Sequence, residues 1–349
     1  SHYKELDKKD GKDLKMERFV VVGQGSDYGA VRWSDLKKMD NATYLDAPFI
    51  STNRLSDTLC HAHASFAVNN RIALPCKRIW KNKYSLEQVK IDPKDHYFII
   101  FTDIALARYD VKYVAEYKKR YSNITFVMMI NNAMYLRDKL LKNHLQYMDI
   151  IYSFSEKDAQ DYKFQFQPDI YSEINPEDAP EITSDIFFAG NANDRADLLN
   201  SLGQYMLEHS VNAHIYVQNT KDKDKKVPEG IHYNEWLNYA TIMNENMHTN
   251  CILEVVGDRY TGMTLRTVEA LCFKKKLLTN NYTIENMPFY DPRFIHIFKK
   301  DDFSTIDPEF LKKRESVTYN YDNEYSPIAF CKRVQIDYEE GKRYVPEGN

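Results

Sequence analysis

Short apolar runs separated by stretches with helical spacing recur along most of the chain. Residues 18–22 (RFVVV), 96–101 (HYFIIF), 124–130 (ITFVMMI) and 149–154 (DIIYSF) are nearly continuous in apolar side chains, as strands covered on both faces are. Between them, 55–69, 110–121 and 136–147 predict helices, and Ser155 followed by Glu156 and Asp158 opens another with a capping hydroxyl and early acids. A short helix and a short strand are predicted within 33–47. The pattern stops at 165–184, where three prolines and several acids show no period. It resumes with strands at 185–189, 214–217, 251–256, 276–279 and 294–298, with helices near 193–209 and 235–247. A last helix over 326–340 has a proline in its first turn.

Strand–helix alternation predicts parallel, helix-covered sheets, and 349 residues exceed one ordinary core. The predicted fold is therefore α/β, with two Rossmann-like parallel-sheet domains facing a cleft. The expected division is a mobile lead at 1–15, a first domain at 16–166, a linker at 167–184, a second domain at 185–325 and a closing segment at 326–349.

Composition narrows the function classes. A net charge of -4 gives bulk electrostatics that argue against a nucleic-acid partner. Five scattered cysteines without metal-ligand spacing fit a reducing compartment and no metal centre. No apolar run is long enough to span a bilayer, and the charged start is not expected to be a signal peptide, so the expected location is cytoplasmic. The basic segment 71–83, with Ile72, Leu74, Ile79 and Trp80, reads either as contact with anionic lipid or a lipid-diphosphate acceptor, or as a solvated loop with a packed tryptophan.

Residues 251–281 carry the most chemistry. A buried strand ends at Gly257-Asp258, Tyr260-Thr261-Gly262 leads into a helix with Leu265, Val268, Leu271 and Cys272 inward, and 276–279 forms the next strand. Thr261, Gly262 and Thr264 lie near the helix start, where free N–H groups and the dipole favour an anion. Arg266 adds a planar fork suited to phosphate. Glu269 lies one turn on, where its carboxylate can accept from sugar hydroxyls; the bland alternative is a simple pair with Arg266. In the first half, GQGSDYG at 23–29 follows a strand, but its glycine spacing does not match a dinucleotide fingerprint. It reads instead as a tight turn at the carboxyl edge of a sheet, with Asp27, Tyr28 and Arg32 either facing the crevice or serving only to form the turn and cap the helix.

The segment from Gly262 through Leu271, followed by KKKLLTNN, resembles the donor-binding region of GT-B glycosyltransferases, particularly those of bacterial surface-polysaccharide and lipopolysaccharide assembly. Many retaining members place two glutamates around seven residues. The second falls here on Glu269 and the first on Thr261, which leaves the stereochemical outcome open. The resemblance implies glycosyl transfer from a nucleotide-diphosphate sugar, with UDP favoured, to a glycan or lipid-linked glycan, without a metal or cofactor and with peripheral contact at the inner membrane face. It further implies a closing helix that crosses back to the first domain. Gly190, Arg195, Thr261, Gly262, Thr264 and Arg266 would hold the diphosphate, Glu269 the ribose, and Gln218 and Tyr233 would border the base. Asp27, His61 and Asp103 are candidates for the base on the acceptor hydroxyl. A sugar-nucleotide epimerase and a non-catalytic two-lobed sugar-binding protein remain as alternatives.

Overall fold

The computed structural model describes residues 15–132, 134, 138–174, 180–257 and 262–346. Residues 1–14 of the expected mobile lead, residues 175–179 of the expected linker, and Thr261 lie outside the described residues. The first lobe contains β1 (Glu17–Val22), α1 (Asp27–Arg32), β2 (Ala42–Leu45), α2 (Arg54–His63), α3 (Phe66–Arg71), β3 (His96–Thr102), α4 (Asp103–Leu106), α5 (Val111–Arg120), β4 (Ile124–Ile130), α6 (Asp138–Leu145), β5 (Ile150–Ser153), α7 (Glu156–Tyr162) and β6 (Gln165–Phe166). The second contains β7 (Ser184–Asn191), α8 (Ala196–Glu208), β8 (Ala213–Gln218), β9 (His232–Tyr233), α9 (Tyr239–His248), β10 (Thr249–Glu254), α10 (Leu265–Phe273), β11 (Lys276–Thr279), β12 (Ile295–Ile297) and α11 (Pro308–Lys312), and the chain closes with α12 (Pro327–Glu339).

The strand orders are β2-β1-β3-β4-β5-β6 and β12-β11-β10-β7-β8-β9, and the strand pairings are parallel throughout. Continuous apolar strands follow from coverage on both faces. Along β1, Val20 and Val22 enter a core with Ile99, Phe101 and Tyr84, while Phe19 and Val21 enter the opposite one with Phe98, Trp33 and Phe330. Each fully buried side chain of this size contributes about 1.5–3 kcal/mol relative to exposure. The order reverses between β1 and β3 in the first sheet and between β7 and β10 in the second, so a ligand crevice is expected beyond those carboxyl ends.

One difference from the sequence reading has a local cause. The helix expected over 55–69 breaks at Ala64-Ser65, where Asn69 Nδ2 donates to the carbonyls of His63 and Ser65 at 2.9 and 2.8 Å. The segment expected as a linker is tightly held over its described first part. Arg32 donates to the Asp169 carboxylate and the Ile170 carbonyl, both at 2.8 Å, and Ser172 Oγ accepts from Asp35 N–H and donates to Arg32 O. Arg32 and Asp169 are 5% and 6% exposed, so Arg32 is fastened inside the lobe connection and does not face the crevice. Finally, α12 lies on the first sheet, with Phe330, Cys331 and Val334 in the core of Phe19 and Phe98, and Tyr152 Oη donating to Asp337 at 2.7 Å.

Candidate functional site

The carboxyl ends of β7 and β10 and the start of α10 enclose a cavity of about 270 Å³. It is lined by Gly190, Arg195, Thr264 and Arg266, together with Asn191 and Glu254. Thr264 caps α10, its Oγ1 accepting from Arg266 N–H at 3.0 Å, so the first-turn donors of a nine-residue helix open beside the cavity. Gly190 lets its neighbours approach closely. A Cβ there would lie 3.0 Å from the Phe188 ring and 3.6 Å from an Arg195 Nη.

Arg195 is the unusual group. Its donors reach the Val255 carbonyl and, at 3.2–3.3 Å, the Asn191 carbonyl, with no ion pair to any carboxylate among the described residues. Burial lowers its pKa, and Arg266 adds to that while Asp194 opposes it. A guanidinium held by carbonyls in a cavity already carrying a second guanidinium is organised to receive an anion.

Arg266 donates to the Glu269 carboxylate and, at 2.6 Å, to the Ala189 carbonyl. Burial alone would lower its pKa, but Glu269 raises it overall. Glu269 is 0% exposed and also accepts from Tyr239 Oη at 3.2 Å. Tyr239 in turn hydrogen-bonds Tyr171 at 2.6 Å and meets Tyr28 of the first lobe edge-on at 4.9 Å. Tyr28 therefore packs against the second lobe, and Glu269 lies behind Arg266 and the tyrosines rather than on the cavity wall. Gly262 adopts φ +110°, a left-handed backbone that favours glycine, and a Cβ there would stand 3.8 Å from the Phe154 carbonyl of the first lobe. The loop before α10 thus borders the gap between the lobes.

Glu254 was missed by sequence reasoning. It ends β10 at 1% exposure, and its carboxylate accepts from three hydroxyls: Thr264, Thr267 at 2.7 Å and Thr279 at 2.5 Å. That lattice ties β10, α10 and β11 together under the cavity. The recurring threonines at 264, 267 and 279 were the available signal, but periodicity alone does not aim three hydroxyls at one acid.

Neither Gln218 nor Tyr233 lines the cavity. The Gln218 amide donates to the Glu235 carbonyl, and the Tyr233 hydroxyl donates to Asn200 on α8 and accepts from Val227 N–H at 3.0 Å. In the first lobe, Asp27 is exposed in the first turn of α1 after β1, and Asp103 is buried at the start of α4 after β3, accepting from Asn132 Nδ2 at 3.0 Å. Both follow the two strands at which that sheet reverses. His61 is exposed on α2, edge-on to Phe49 at 5.7 Å. His63 is structural, bonded to Trp80 Nε1 at 3.0 Å and the Pro75 carbonyl at 2.8 Å.

Comparison with protein-family models and with curated protein sequences returns no match. Among solved structures, the chain is similar to an alpha-glucosyltransferase in complex with UDP and a 13-mer DNA containing an HMU base, at 11% identity and TM-score 0.51, covering 93% of this chain and 99% of that one. It is also similar to trehalose-6-phosphate synthase, at 10% identity and TM-score 0.52 with 93% and 99% coverage, and to OtsA, at 11% and 0.51 with 94% and 100% coverage. With two six-stranded parallel sheets and these neighbours, the chain has the two-domain α/β fold of GT-B glycosyltransferases.

Proposed function

We propose that the protein is a glycosyltransferase that moves a sugar from a nucleotide-diphosphate sugar to a hydroxyl of a glycan or lipid-linked glycan. The observation that carries this reading is Arg195, a guanidinium without a carboxylate partner among the described residues, placed with Arg266 and the α10 N-terminus around one cavity at the second sheet's switch point. As the sugar C1–O bond breaks, negative charge develops on the diphosphate. Arg195 as it stands, Arg266 once released from Glu269, and backbone N–H groups stabilise it where it forms, so the reading requires no divalent ion. UDP is the favoured nucleotide because the structurally similar alpha-glucosyltransferase was solved with it.

Glu269 enters through exchange in this scheme. Ribose hydroxyls replace Arg266 on the carboxylate, and the released guanidinium turns to the phosphates. The acceptor hydroxyl forms the new bond to C1 and gives its proton to a first-lobe base, for which Asp103, Asp27 and His61 are the candidates. Asp103 is favoured by its position directly after β3.

The acceptor side supports contact with an anionic membrane face, in keeping with a role in bacterial surface-glycan assembly at the cytoplasmic side. Leu55, Leu59, Ile72 and Ile79 are 54–72% exposed, beside Arg54, Arg71 and Lys81, which have no ion-pair partner among the described residues. No helix of the described residues is long and apolar enough to cross a membrane.

Incubation with UDP-, GDP-, dTDP- and CMP-sugars, followed by mass spectrometry, tests the reading. Release of one nucleotide, accelerated by a glycan acceptor that gains the sugar mass, is expected. Acceptor-independent conversion to an isomeric sugar nucleotide would indicate epimerisation, and binding without turnover a sugar-binding protein.

A further inference from the structure

Two cations beyond the carboxyl edge of the first sheet have no counter-charge among the described residues. Arg108 lies in the connection that follows β3 and α4. Its Nε is buried without a partner, and its guanidinium makes no hydrogen bond or ion pair among the described residues. Lys77, half-buried at the start of the 3-10 turn Lys77–Lys83, reaches only the Ala107 carbonyl, at 3.4 Å, one residue from Arg108. Burial lowers the pKa of both groups, with Asp110 opposing that for Lys77 and Cys60 for Arg108.

The surrounding acids are already engaged. Asp57 accepts from Lys83 and from Ser51 Oγ and Thr52 N–H. Asp110 caps α5 through the N–H groups of Lys112 and Tyr113, at 3.0 and 3.2 Å. Asp103 accepts from Asn132. The Cys60 thiol, which faces Arg108, is pushed up to about 11 by burial and so stays neutral near pH 7. The Nε of Arg108 is withdrawn from water with nothing to satisfy it, although buried polar groups are nearly always satisfied, while the rest of the half-buried guanidinium stays open to an incoming group. The missing partner is therefore sought in a ligand.

We propose that Arg108 and Lys77 form an anion subsite for a phosphate group on the acceptor, so that the acceptor is a phosphorylated sugar or a sugar carried on a lipid phosphate. Asp103 opens the short helix α4 after β3, and Arg108 follows in the same connection. The inference rests on the glycosyl-transfer reading only in naming the ligand an acceptor.

Thermal shift on the full chain tests it, comparing wild type, Arg108→Met and Lys77→Gln with saturating UDP present to fill the second-lobe cavity. The probes are inorganic phosphate, glucose 6-phosphate, glucose, and a short polyprenyl phosphate in non-ionic micelles. Without probe, Arg108→Met should melt at or above the wild-type temperature, since it removes an uncompensated charge. Phosphate-bearing probes should raise the wild-type midpoint, Arg108→Met should lose most of that shift, and Lys77→Gln part of it. Glucose should do nothing, and the larger shift of the sugar phosphate or the lipid phosphate identifies the source. The proposal is overturned if no phosphate probe shifts the wild type, if Arg108→Met keeps the full shift, or if Arg108→Met alone melts several degrees lower, which would reveal an internal partner. Failure of UDP itself to shift any form would refute the donor reading and leave the phosphate comparison readable.

Discussion

Replacing Arg266 by alanine separates fold from function when it is combined with a second change. Glu269 is fully buried and its carboxylate has two partners, Arg266 and the Tyr239 hydroxyl. Arg266→Ala leaves a buried carboxylate with one neutral donor, and breaking a buried pair from one side costs about 3–5 kcal/mol. At roughly 2–4 °C per kcal/mol for units of 150–250 residues, the midpoint should fall by about 6–20 °C. Adding Glu269→Gln removes the orphaned charge, and the double variant should recover to within about 1–2 kcal/mol of wild type. Urea unfolding of the four forms gives the coupling energy directly. Nucleotide binding should not recover. Wild type should gain about 2.7 kcal/mol at a hundredfold excess of UDP over Kd, and neither Arg266→Ala nor the double variant should show that gain. The reasoning is refuted if Arg266→Ala costs less than about 1 kcal/mol, if Glu269→Gln fails to restore stability, or if the restored double variant binds UDP as wild type does.

Further outcomes are expected elsewhere in the chain. Thr267→Val removes one hydroxyl from the Glu254 carboxylate and should lower stability by about 1.5–3 kcal/mol in urea unfolding, the range for hydrogen bonds to charged groups. Asp169→Asn leaves buried Arg32 without its carboxylate, should cost about 3–5 kcal/mol, and should make the connection at 169–173 more accessible to protease. Lys275 donates to the Met247 carbonyl, and its pKa is lowered by burial from 10.5 to about 8. Below pH 8 the folded state carries the buried charge; between about 8 and 10.5 the unfolded chain holds a proton that the folded one has released, so stability rises with pH. Lys275→Met should therefore be more stable than wild type at pH 7, with the gap narrowing in melts above pH 8.

The sheets were legible in the sequence because strands buried on both faces are apolar at nearly every position, as 96–101 and 124–130 are apart from His96 and Thr125, which bond each other. The turn before α10 was legible through Gly262, whereas Thr264 was read as an anion neighbour and not as the cap it forms. Long-range pairings were not legible. The turn after β1 suggested Arg32 at the crevice, whereas the structure gives it to Asp169, 137 residues away. The family resemblance implied Tyr233 beside a nucleobase; in the structure its hydroxyl points to Asn200, since β9 lies next to β8 and its tyrosine packs against the α8 core. Glu269 was readable either as a ribose ligand or as the partner of Arg266. The described structure contains the pair, since a carboxylate at zero exposure must have its charge met from within. Glu254 and Arg108 were invisible for a related reason: what distinguishes them is the presence or absence of partners brought together only by folding.

Titration calorimetry with UDP, uridine and inorganic pyrophosphate on wild type and Arg195→Ala tests the central claim most directly. If the second-lobe cavity grips a nucleotide through its diphosphate, UDP should bind wild type saturably, uridine at least tenfold more weakly, and pyrophosphate should compete. Arg195→Ala, which breaks the guanidinium's bonds to the Val255 and Asn191 carbonyls and should cost about 1–3 kcal/mol of stability, should lose affinity for UDP but not for uridine. Equal binding of UDP and uridine, or undiminished UDP affinity in Arg195→Ala, would contradict the account.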